Sequence, residues 1–366
     1  ERRSKNEVTR MVGTKGYSSY RGRGPRWKIL LAFVLVLVIA AAASVIYLQQ
    51  FLVYGADGSR QIRLPWQTEE KEPSPDGEGE DPANQPKVDV VVQEPEVPKP
   101  EETTAFSLPA QALTEALWQQ ALAAKPAGAN AVAVRLKTSN GTVYFNAAGA
   151  VSGAVETELD TAAALAAVTA QEELYTIASL ACLQDFKAAN ADVEGRGLKN
   201  TGGYIFYDGN NSLWLDPAKP SAREYVCALA KEIAELGFDE LLLTDFGYPT
   251  VGKINKINYN TELSLTDNLD LLLSDLNTAL EPYDIFLSVE VPEAVVSEGP
   301  DAVSGLDLNR LVSRVDRIYA ATTPEKAETL SNLVSQAAGE DGTTEFVPEL
   351  AADSPTLTGS RLILAE

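Results

Sequence analysis

The stretch that decides the fold runs from Gly202 to Lys253 and reads GGYIFYDGNNSLWLDPAKPSAREYVCALAKEIAELGFDELLLTDFGYPTVGK. Apolar residues recur at helical spacing from Val226 to Leu236, and Gly237 supplies the left-handed residue that commonly ends a helix. Three consecutive leucines within Glu240 to Asp245 are typical of a parallel strand that is buried on both faces. An aromatic loop, a helix and a strand ending in an acid form the repeating unit of a (β/α) barrel, which carries ligand chemistry at the carboxyl ends of its strands.

The start of this helix has its own signal. Ser221 is followed three residues later by Glu224, which is the spacing of a capping box. In that motif the two side chains satisfy backbone donors that the first turn leaves unpaired. We therefore expect the helix to begin at Ser221.

The same alternation of strand and helix continues across residues 104–366. The predicted strands are Ala105–Leu108, Ala131–Lys137, Tyr175–Leu183, Glu240–Asp245, Asp284–Val291, Arg317–Ala321, Glu345–Glu349 and Arg361–Ala365. The predicted helices include Gln111–Ala123, Thr161–Glu173, Ser221–Leu236, Asp267–Leu280 and Pro324–Ala338. Eight strands in about 260 residues fit a (β/α)8 TIM barrel. An open doubly wound sheet is the alternative, because the order of the strands cannot be read from the sequence.

Charge and composition exclude several classes of function. The net charge is −22, but the first 28 residues carry nine Lys or Arg against two Glu, so the remaining residues carry −29. Such a body cannot neutralise a row of phosphates, and we expect no nucleic-acid partner. The chain has no histidine. Ser-His and Cys-His nucleophile pairs and His-ligated metal sites are therefore excluded, so we expect no metal or other cofactor and assign acid-base chemistry first to carboxylates.

A membrane segment is predicted near the amino terminus. Residues Ile29 to Leu48 form an uncharged apolar run that, as a helix, spans a hydrocarbon core of about 30 Å. Arg and Lys precede the run and acids follow it, so the positive-inside rule leaves residues 1–28 as a cytoplasmic tail and exports the rest. We assign residues 29–54 to a single transmembrane helix in contact with the lipid bilayer. A cleaved signal peptide is the alternative, because Ala41 to Ser44 are small residues of the cleavage type.

A linker follows the membrane segment. Asp57 to Glu102 contains eight prolines and thirteen acids against five bases. A stretch of this kind buries too little apolar surface to offset its ordering entropy, and proline keeps it extended. We therefore interpret residues 55–103 as a disordered acidic stalk that holds the barrel, residues 104–366, away from the bilayer and outside the cell.

The two cysteines are Cys182, on a predicted strand, and Cys227, on a predicted helix. Export permits a disulfide between them, but residues in such positions are more often plain buried thiols. Neither lies in a CxxC pattern, so neither indicates a metal site or redox function.

Four segments carry a resemblance to a known family. They are NAVAVRLKTSNGTVYF (130–145), YTIASLACLQD (175–185), NSLWLDPAKPSAREYVCALAKEIAELGFDELLLTDFGYP (211–249) and DIFLSVEV (284–291). Together they resemble successive blocks of a bacterial TIM-barrel family that is classed with the glycoside hydrolases and catalogued as a domain of unknown function. The pairing of WLDP with GFDE is the most specific part. The resemblance implies a sugar-processing barrel distantly similar to the α-amylase type.

The resemblance also shows where this chain departs from the family. The family typically has Asp at the position of Thr244, Arg at the position of Gly247 and Asp at the position of Arg135. Asp245 lies one residue beyond the usual acid, and because side chains alternate along a strand, this shift can turn it to the other face. Glu290 matches an acidic position directly.

Cleavage of a glycosidic bond needs two carboxyl groups, one protonated and one ionised. Neighbouring strands lie about 4.8 Å apart, so Asp245 and Glu290 at adjacent strand ends can reach the separation of about 5 to 5.5 Å used by retaining enzymes. We expect Asp245 to be the nucleophile and Glu290 the acid/base, with Glu349 as a substitute partner from across the mouth. The alternative is that these acids only end strands at a solvated rim.

Aromatic residues on the predicted loops at this face suit the apolar faces of sugars. The predicted substrate contacts are Tyr204, Tyr207, Trp214, Tyr248 and the substituted position Arg135. Trp214 is expected mainly to pack the long loop, whereas Tyr248 is expected to contact sugar. Asp216 is expected to orient the helix entry from a turn.

Two motifs resemble ligand sites by spacing alone. Residues 247–253 satisfy GxxxxGK, but Ile254 replaces the required Ser or Thr, so we expect no nucleotide. Asp208, Asn210 and Ser212 have calcium-loop spacing but lack the later Gly and Glu, so a turn is expected.

Three functional hypotheses follow. The first is a membrane-anchored extracellular glycosidase that acts on cell-surface, wall or environmental polysaccharide. The second is a catalytically inactive barrel that binds glycan or wall polymer. The third is a structural surface protein whose barrel is a spacer or a platform for other proteins. The fold alone cannot choose among them, because barrels host many unrelated activities.

Overall fold

The structure is a computed structural model that describes residues 52–54, 60–62, 102–109, 113–259, 262–354 and 358–364. The chain divides into two compact units, residues 1–91 and 92–366. In the first unit, strands Leu52–Tyr54 and Arg60–Ile62 pair in antiparallel register. Leu52–Tyr54 lies at the end of the predicted membrane segment, where a helix was expected. Arg60–Ile62 lies at the start of the predicted linker, where no regular structure was expected.

The predicted apolar run, Ile29 to Leu48, lies outside the described residues, as do the basic tail and most of the linker. In the described part of the chain, no helix combines the length and the apolar character needed to cross a bilayer. The membrane anchor therefore stays a prediction.

The second unit is a closed barrel of eight parallel strands, as the alternating pattern predicted. The strands are β1 (Thr104–Leu108), β2 (Ala131–Lys137), β3 (Tyr175–Ala181), β4 (Glu240–Thr244), β5 (Phe286–Glu290), β6 (Arg317–Ala321), β7 (Glu345–Leu350) and β8 (Arg361–Ile363). Strand β8 pairs with both β7 and β1, which closes the cylinder and rules out the open doubly wound sheet.

The helices surround the strands. They are α1 (Glu115–Ala123), α2 (Thr161–Thr169), α3 (Phe186–Ala191), α4 (Pro220–Glu235), α5 (Leu265–Leu280), α6 (Glu293–Ser297), α7 (Leu308–Leu311) and α8 (Pro324–Ala338). The five predicted helices are present, although α1 and α2 are shorter than expected. The sequence analysis missed α3, α6 and α7, which span six residues or fewer.

Helix α4 corrects one prediction. It begins at Pro220, and the N-cap is Lys219 with no side-chain cap bond, so Ser221 is not the capping residue. Proline suits the first helical position because its ring fixes φ and its missing N–H would have no partner there. The predicted stop is confirmed, since Gly237 has a φ of 85°.

Strand alternation divides the apolar residues into two sets. In β2, Ala131 and Ala133 point into the barrel and join a small inner cluster with residues such as Ile177 and Leu242. The alternate residues, such as Val132, belong to the large core between strands and helices. This parity sends Arg135 into the mouth of the barrel, because it follows Ala133 by two positions.

The amino ends of the strands carry a buried ionic cluster, which we call the floor cluster: Tyr175, Glu240, Arg317, Tyr319 and Glu345. The guanidinium of Arg317 lies 2.8 Å from Glu240 Oε2 and 2.9 Å from Glu345 Oε2. Tyr319 donates a 2.7 Å hydrogen bond to Glu240 Oε1, and the Arg317 guanidinium lies over the Tyr175 ring. Arg317 and Glu240 are fully buried, so each charge has its partner inside the protein.

Cys182 and Cys227 are both free. Cys182 is buried and Cys227 half-buried, as expected for thiols that serve as small apolar groups.

Candidate active site

The carboxyl ends of the strands surround an open cavity of about 490 Å³, which we call the mouth cavity. Its charged groups are Glu290 from β5, Glu349 from β7 and Arg135 from β2. Hydroxyl groups and apolar side chains complete the wall: Ser107, Leu108, Pro109, Ala133, Ser179, Leu242, Thr244, Ala321, Leu362 and Leu364. The volume lies in the range of small-molecule sites, and the carboxyl end of a barrel is where such sites form.

Two smaller cavities adjoin the mouth cavity. One of about 270 Å³ is lined by Trp214, Phe246 and Tyr248 among others, and we call it the aromatic cavity. The other, of about 130 Å³ and mostly polar, is the polar recess. Glu290 lines all three cavities and Asp245 lines the two smaller ones. These two predicted catalytic acids therefore lie where the cavities meet.

Asp245 reaches the site through an unusual backbone conformation. By strand alternation its side chain belongs on the outer face, since Thr244 points inward. The strand ends at Thr244, however, and Asp245 has a φ of 49° in the left-handed region, which Asp tolerates better than most residues. This turn accompanies the placement of Asp245 on the wall of the two smaller cavities, which Glu290 also lines. The predicted shift to the other face does not occur.

A hydrogen bond holds Asp245 in this position. Ser139, on the loop after β2, donates a 2.6 Å hydrogen bond to Asp245 Oδ2. The two residues are 106 positions apart, so only the closed barrel brings them together. The sequence analysis did not identify Ser139, and a serine in a Thr-Ser-Asn-Gly turn gives no signal that distinguishes it from an ordinary turn residue.

The electrostatics of Glu290 favour its protonated form. Burial raises the pKa of Glu290, the nearby charge of Asp245 raises it further, and Arg135 opposes both. Within the described residues the Glu290 carboxyl has no hydrogen bond or ion pair. A partly desolvated carboxyl beside a second acid is the arrangement that separates an acid from a base.

Glu349 shows a larger shift. Its side chain is only 6% exposed. Burial first, and then the charge of Glu290, raise the pKa of Glu349 to about 8, against the opposing effect of Arg135. Arg135 makes no ion pair within 4 Å of a carboxylate in the described part of the chain, so it influences both glutamates from a distance.

A buried ion pair supports the wall of the polar recess. Lys137 Nζ lies 2.9 Å from Asp185 Oδ2 and donates to the carbonyl of Ala181, and both charged side chains are almost fully buried. Asp185 also accepts from the Tyr225 hydroxyl and caps α3 through the N–H of Ala188. The sequence analysis missed this pair, although a lysine that ends an otherwise buried strand was a usable signal.

The predicted aromatic contacts separate into two groups. Trp214 and Tyr248 line the aromatic cavity, and the indole N–H of Trp214 donates to Asp208 Oδ2 at 3.0 Å. Tyr248 is almost fully buried and packs edge-on against Tyr259, so much of its ring serves the core. Tyr204 and Tyr207 are exposed and line none of the three cavities. Their contact with sugar stays a prediction.

Both spacing motifs adopt ordinary local structure. The GxxxxGK segment is followed by the 3₁₀ turn Ile254–Lys256 instead of the long helix that a phosphate loop needs. Asp208 accepts from the N–H groups of Asn210 and Ser212, which is the expected turn. Asp216 likewise accepts from the N–H of Ala218 at the entry to α4.

Gly247 is one of the three positions at which the resemblance predicts a departure from the family. Its φ is 139°, a value that disfavours any side chain. The other two substituted positions, Thr244 and Arg135, both line the mouth cavity and the polar recess. Two of the three predicted departures therefore lie at the site itself.

A solved structure shares this fold. The PgaB (BpsB) glycoside hydrolase domain from Bordetella bronchiseptica matches with a TM-score of 0.54 at 13% identity, over 73% of this chain and 94% of that one. A hypothetical protein from Ruminiclostridium thermocellum is 22% identical over 50% of this chain and 96% of its own, with a TM-score of 0.43. At 13% identity the likeness to the PgaB domain concerns the fold alone. No curated protein sequence matches the chain.

The family comparison is more specific. The profile of the family described as "Putative glycosyl hydrolase domain" matches residues 107–331, which is more than half of the 366 residues. The matched region holds seven of the eight helices in the described residues and includes Arg135, Asp245 and Glu290. It ends before Glu349, so that acid lies outside the matched residues. The chain belongs to this family of glycosyl hydrolase domains.

Proposed function

We propose that the chain is a glycoside hydrolase that cleaves polysaccharide with Asp245 and Glu290. The observation that carries the proposal is the position of these two acids at the junction of three cavities, with Asp245 held by Ser139 and Glu290 half-buried with no ion pair or hydrogen bond among the described residues. A glycan that enters both the mouth cavity and the aromatic cavity places a glycosidic bond beside them.

The chemistry uses the two acids in different protonation states. Glu290, whose pKa is raised, donates its proton to the glycosidic oxygen as the carbon–oxygen bond breaks. The Asp245 carboxylate attacks the anomeric carbon, or takes a proton from a water that attacks it. In the first course water then releases the sugar and returns a proton to Glu290. The anomer released first, observed by NMR, distinguishes the two courses.

Glu349 is the alternative proton donor, because its pKa is raised to about 8. The roles differ in a testable way. If Glu290 is the donor, Glu290→Gln stops cleavage of substrates that need a protonated leaving group, whereas leaving groups that depart without a proton are still cleaved. If Glu349→Gln, and not Glu290→Gln, still cleaves only the leaving groups that depart without a proton, Glu349 is the donor.

The test incubates the purified chain with a broad panel of glycans and measures the reducing ends that cleavage releases. Asp245→Asn and Glu290→Gln are the test variants. Glu328→Gln, an exposed acid on α8, is the matched control for the change of charge. Cleavage that survives in the control and vanishes in both test variants supports the proposal, whereas cleavage that persists in Asp245→Asn contradicts the role of Asp245.

A second function has a specific observation in its favour. Thr244 and Arg135 stand at two family acid positions within the site, which favours a barrel that binds glycan without cleaving it. In that case the wild-type chain binds a glycan of the panel but releases no reducing ends. Hydrolysis that Asp245→Asn abolishes rules this function out.

We also propose that the barrel is displayed outside the cell on a single-pass membrane anchor with a cytoplasmic amino terminus. The support is the uncharged run from Ile29 to Leu48 with basic residues before it and acids after it. Protease added to intact cells should digest the barrel and spare the basic tail. A barrel released into the medium by cleavage near Ala41 indicates a signal peptide instead.

A further inference from the structure

Arg135 is a cation at the mouth of the barrel whose side chain has no hydrogen bond or ion pair among the described residues. It lies on β2 two positions beyond the inward-facing Ala133, and it lines both the mouth cavity and the polar recess. Its side chain is exposed, so its five N–H donors are available to a molecule that enters. The resemblance predicts Asp at this position, and arginine reverses the charge there.

Other arginines of the barrel are used by the fold. Arg223, Arg310, Arg314 and Arg317 each pair with Asp or Glu. Arg196 lies over the ring of Tyr225. Arg135 differs from these residues because it faces a cavity and contacts no carboxylate within the described part of the chain.

The neighbouring cation on the same strand is also used by the fold. Lys137 is buried and pairs with Asp185. The register between β2 and β3 shifts between Arg135 and Lys137, which is the kind of irregularity that re-aims side chains beside functional sites. One cation therefore stabilises the wall of the polar recess, whereas Arg135 remains at its opening.

The mouth cavity carries a positive charge when its two acids are protonated. Its ionisable lining residues are Arg135, Glu290 and Glu349. Burial raises the pKa of Glu290, and it raises that of Glu349 to about 8, so both carboxyls favour the neutral form. Asp245 lines only the two smaller cavities. A sugar in the mouth cavity therefore meets a guanidinium as the charged group of the described wall.

The chemistry of a guanidinium favours an anion over a neutral hydroxyl. A carboxylate or an ester sulfate accepts two parallel N–H bonds from arginine, and these bonds are charge-assisted. A neutral hydroxyl accepts one ordinary bond, which only replaces a bond to water. The protonated carboxyl of Glu349 and the hydroxyls of Ser179 and Thr244 line the same cavity and can donate to the anion as well.

We propose that the sugar bound in the mouth cavity carries an anionic group, which Arg135 binds. The substrate class is therefore an acidic polysaccharide, with its charge on a uronic acid carboxylate or on an ester sulfate. This inference rests on the proposed function, because it assigns a substrate to the same site. Arg135 acts in recognition, beside the catalytic Asp245 and Glu290.

The acidic surface of the protein does not oppose this contact at close range. The chain has a net charge of −22. At physiological ionic strength, charges on exposed surface are largely screened beyond about 8 Å. The contact with Arg135 is shorter than this distance, so the local cation decides which sugar is bound.

The experiment compares the methyl glycosides of glucuronic acid and of glucose 6-sulfate with two neutral partners, the glucuronamide and the glucoside. Both anomers and the galacto counterparts are included. Titration calorimetry on the full chain at about pH 6, where Glu349 keeps its proton, gives the affinities. We expect an acidic glycoside to bind about tenfold more tightly than its neutral partners. The carboxylate and sulfate arms show which anionic group is preferred.

Arg135→Gln is the test variant, and Lys231→Gln, an exposed cation on α4, is the matched control for the loss of charge. Arg135→Gln should remove the preference for acidic sugars without lowering the melting temperature, whereas the control should keep the preference. Arg135→Lys keeps the charge and should keep part of the preference. Equal affinity for acidic and neutral sugars, or a preference that survives in Arg135→Gln, overturns the inference.

The two proposals fail in different ways. Cleavage of neutral glycans without tighter binding of acidic sugars removes the substrate assignment and leaves the glycosidase in place. Tighter binding of acidic sugars, lost in Arg135→Gln, with no cleavage of any acidic polysaccharide, supports the assignment of the sugar and removes the glycosidase.

Discussion

The two ends of the barrel use charge in opposite ways. At the floor, Arg317 is bonded to both Glu240 and Glu345, and Tyr319 satisfies a remaining oxygen. At the mouth, Glu290 and Glu349 have no ion pair in the described part of the chain, and the pKa of each is raised. Strands of the same sheet supply both sets. The difference indicates that the floor charges serve the fold, whereas the mouth acids have the raised pKa values and missing partners on which the proposed function depends.

The first prediction separates activity from stability at the mouth. Replacing Asp245 by Asn, or Glu290 by Gln, should lower kcat by about 10²- to 10⁴-fold, because each acid transfers a proton or attacks carbon in the transition state. The melting temperature should not fall, since each substitution removes an acid from a site that has too many. Kinetics and thermal unfolding on the same preparations give both numbers, and a variant that loses activity only because it unfolds contradicts the assignment.

The second prediction reverses that pattern at the floor. Arg317→Met should lower the free energy of unfolding by about 3 to 5 kcal/mol, because it leaves Glu240 buried without its charge partner. The folded fraction should retain the wild-type kcat. Urea unfolding measures the loss.

The double variant Arg317→Met with Glu240→Gln is the control for this prediction. It should recover much of the lost stability, because no buried charge is then left unpaired. If the double variant is less stable than Arg317→Met alone, the unpaired charge of Glu240 is not the cause of the lost stability.

The third prediction concerns the pH dependence of stability. The pKa of Glu349 in the folded protein is raised to about 8, whereas glutamate in an unfolded chain titrates near ~4.3. Between these values the folded state holds a proton that the unfolded state has released. The free energy of unfolding therefore falls as the pH rises, by at most about 1.4 kcal/mol per pH unit.

This contribution is fully present below the unfolded pKa and is lost as the pH rises through about 8. Glu290 acts in the same direction, since its pKa is also raised. Urea unfolding across this window should give a steeper decline for the wild type than for Glu349→Gln. Parallel curves would mean that Glu349 titrates as an ordinary exposed glutamate.

The fourth prediction has the smallest expected effect and tests the hydrogen bond from Ser139 to Asp245. Ser139→Ala should lower kcat by about fivefold, the value of one modest hydrogen bond. The loss should appear in kcat, because the Asp245 carboxylate loses the donor that holds it in position. Ser139→Thr keeps the hydroxyl and should restore kcat. An unchanged kcat in Ser139→Ala limits the serine to shaping its loop.

Much of the fold could be predicted because the strands of a parallel barrel are apolar runs. All eight strands were placed to within a few residues, since sequences such as the leucines of β4 suit burial on both faces. The start of α4 was misplaced by one residue because Pro220 and the Ser221–Glu224 spacing are competing start signals, and the proline prevailed. Helices α3, α6 and α7 are too short for a periodic pattern to reveal.

The site was less predictable because its geometry depends on long-range contacts. The acids themselves could be named, since each lies at a strand end. The inward turn of Asp245 depends on a left-handed residue, and its hydrogen bond with Ser139 joins residues far apart in the chain. The pairing of Glu240 with Arg317 and the isolation of Glu349 likewise follow only from which strands become neighbours across the barrel.

One comparison of rates tests most directly whether the floor cluster serves the fold and the mouth acids serve catalysis. Initial rates of reducing-end release are compared for the wild type, Asp245→Asn and Arg317→Met, at a temperature where all three are folded. We expect equal rates for the wild type and Arg317→Met, and a rate near background for Asp245→Asn. No cleavage by the wild type, or an equal loss of rate in both variants, would contradict this assignment.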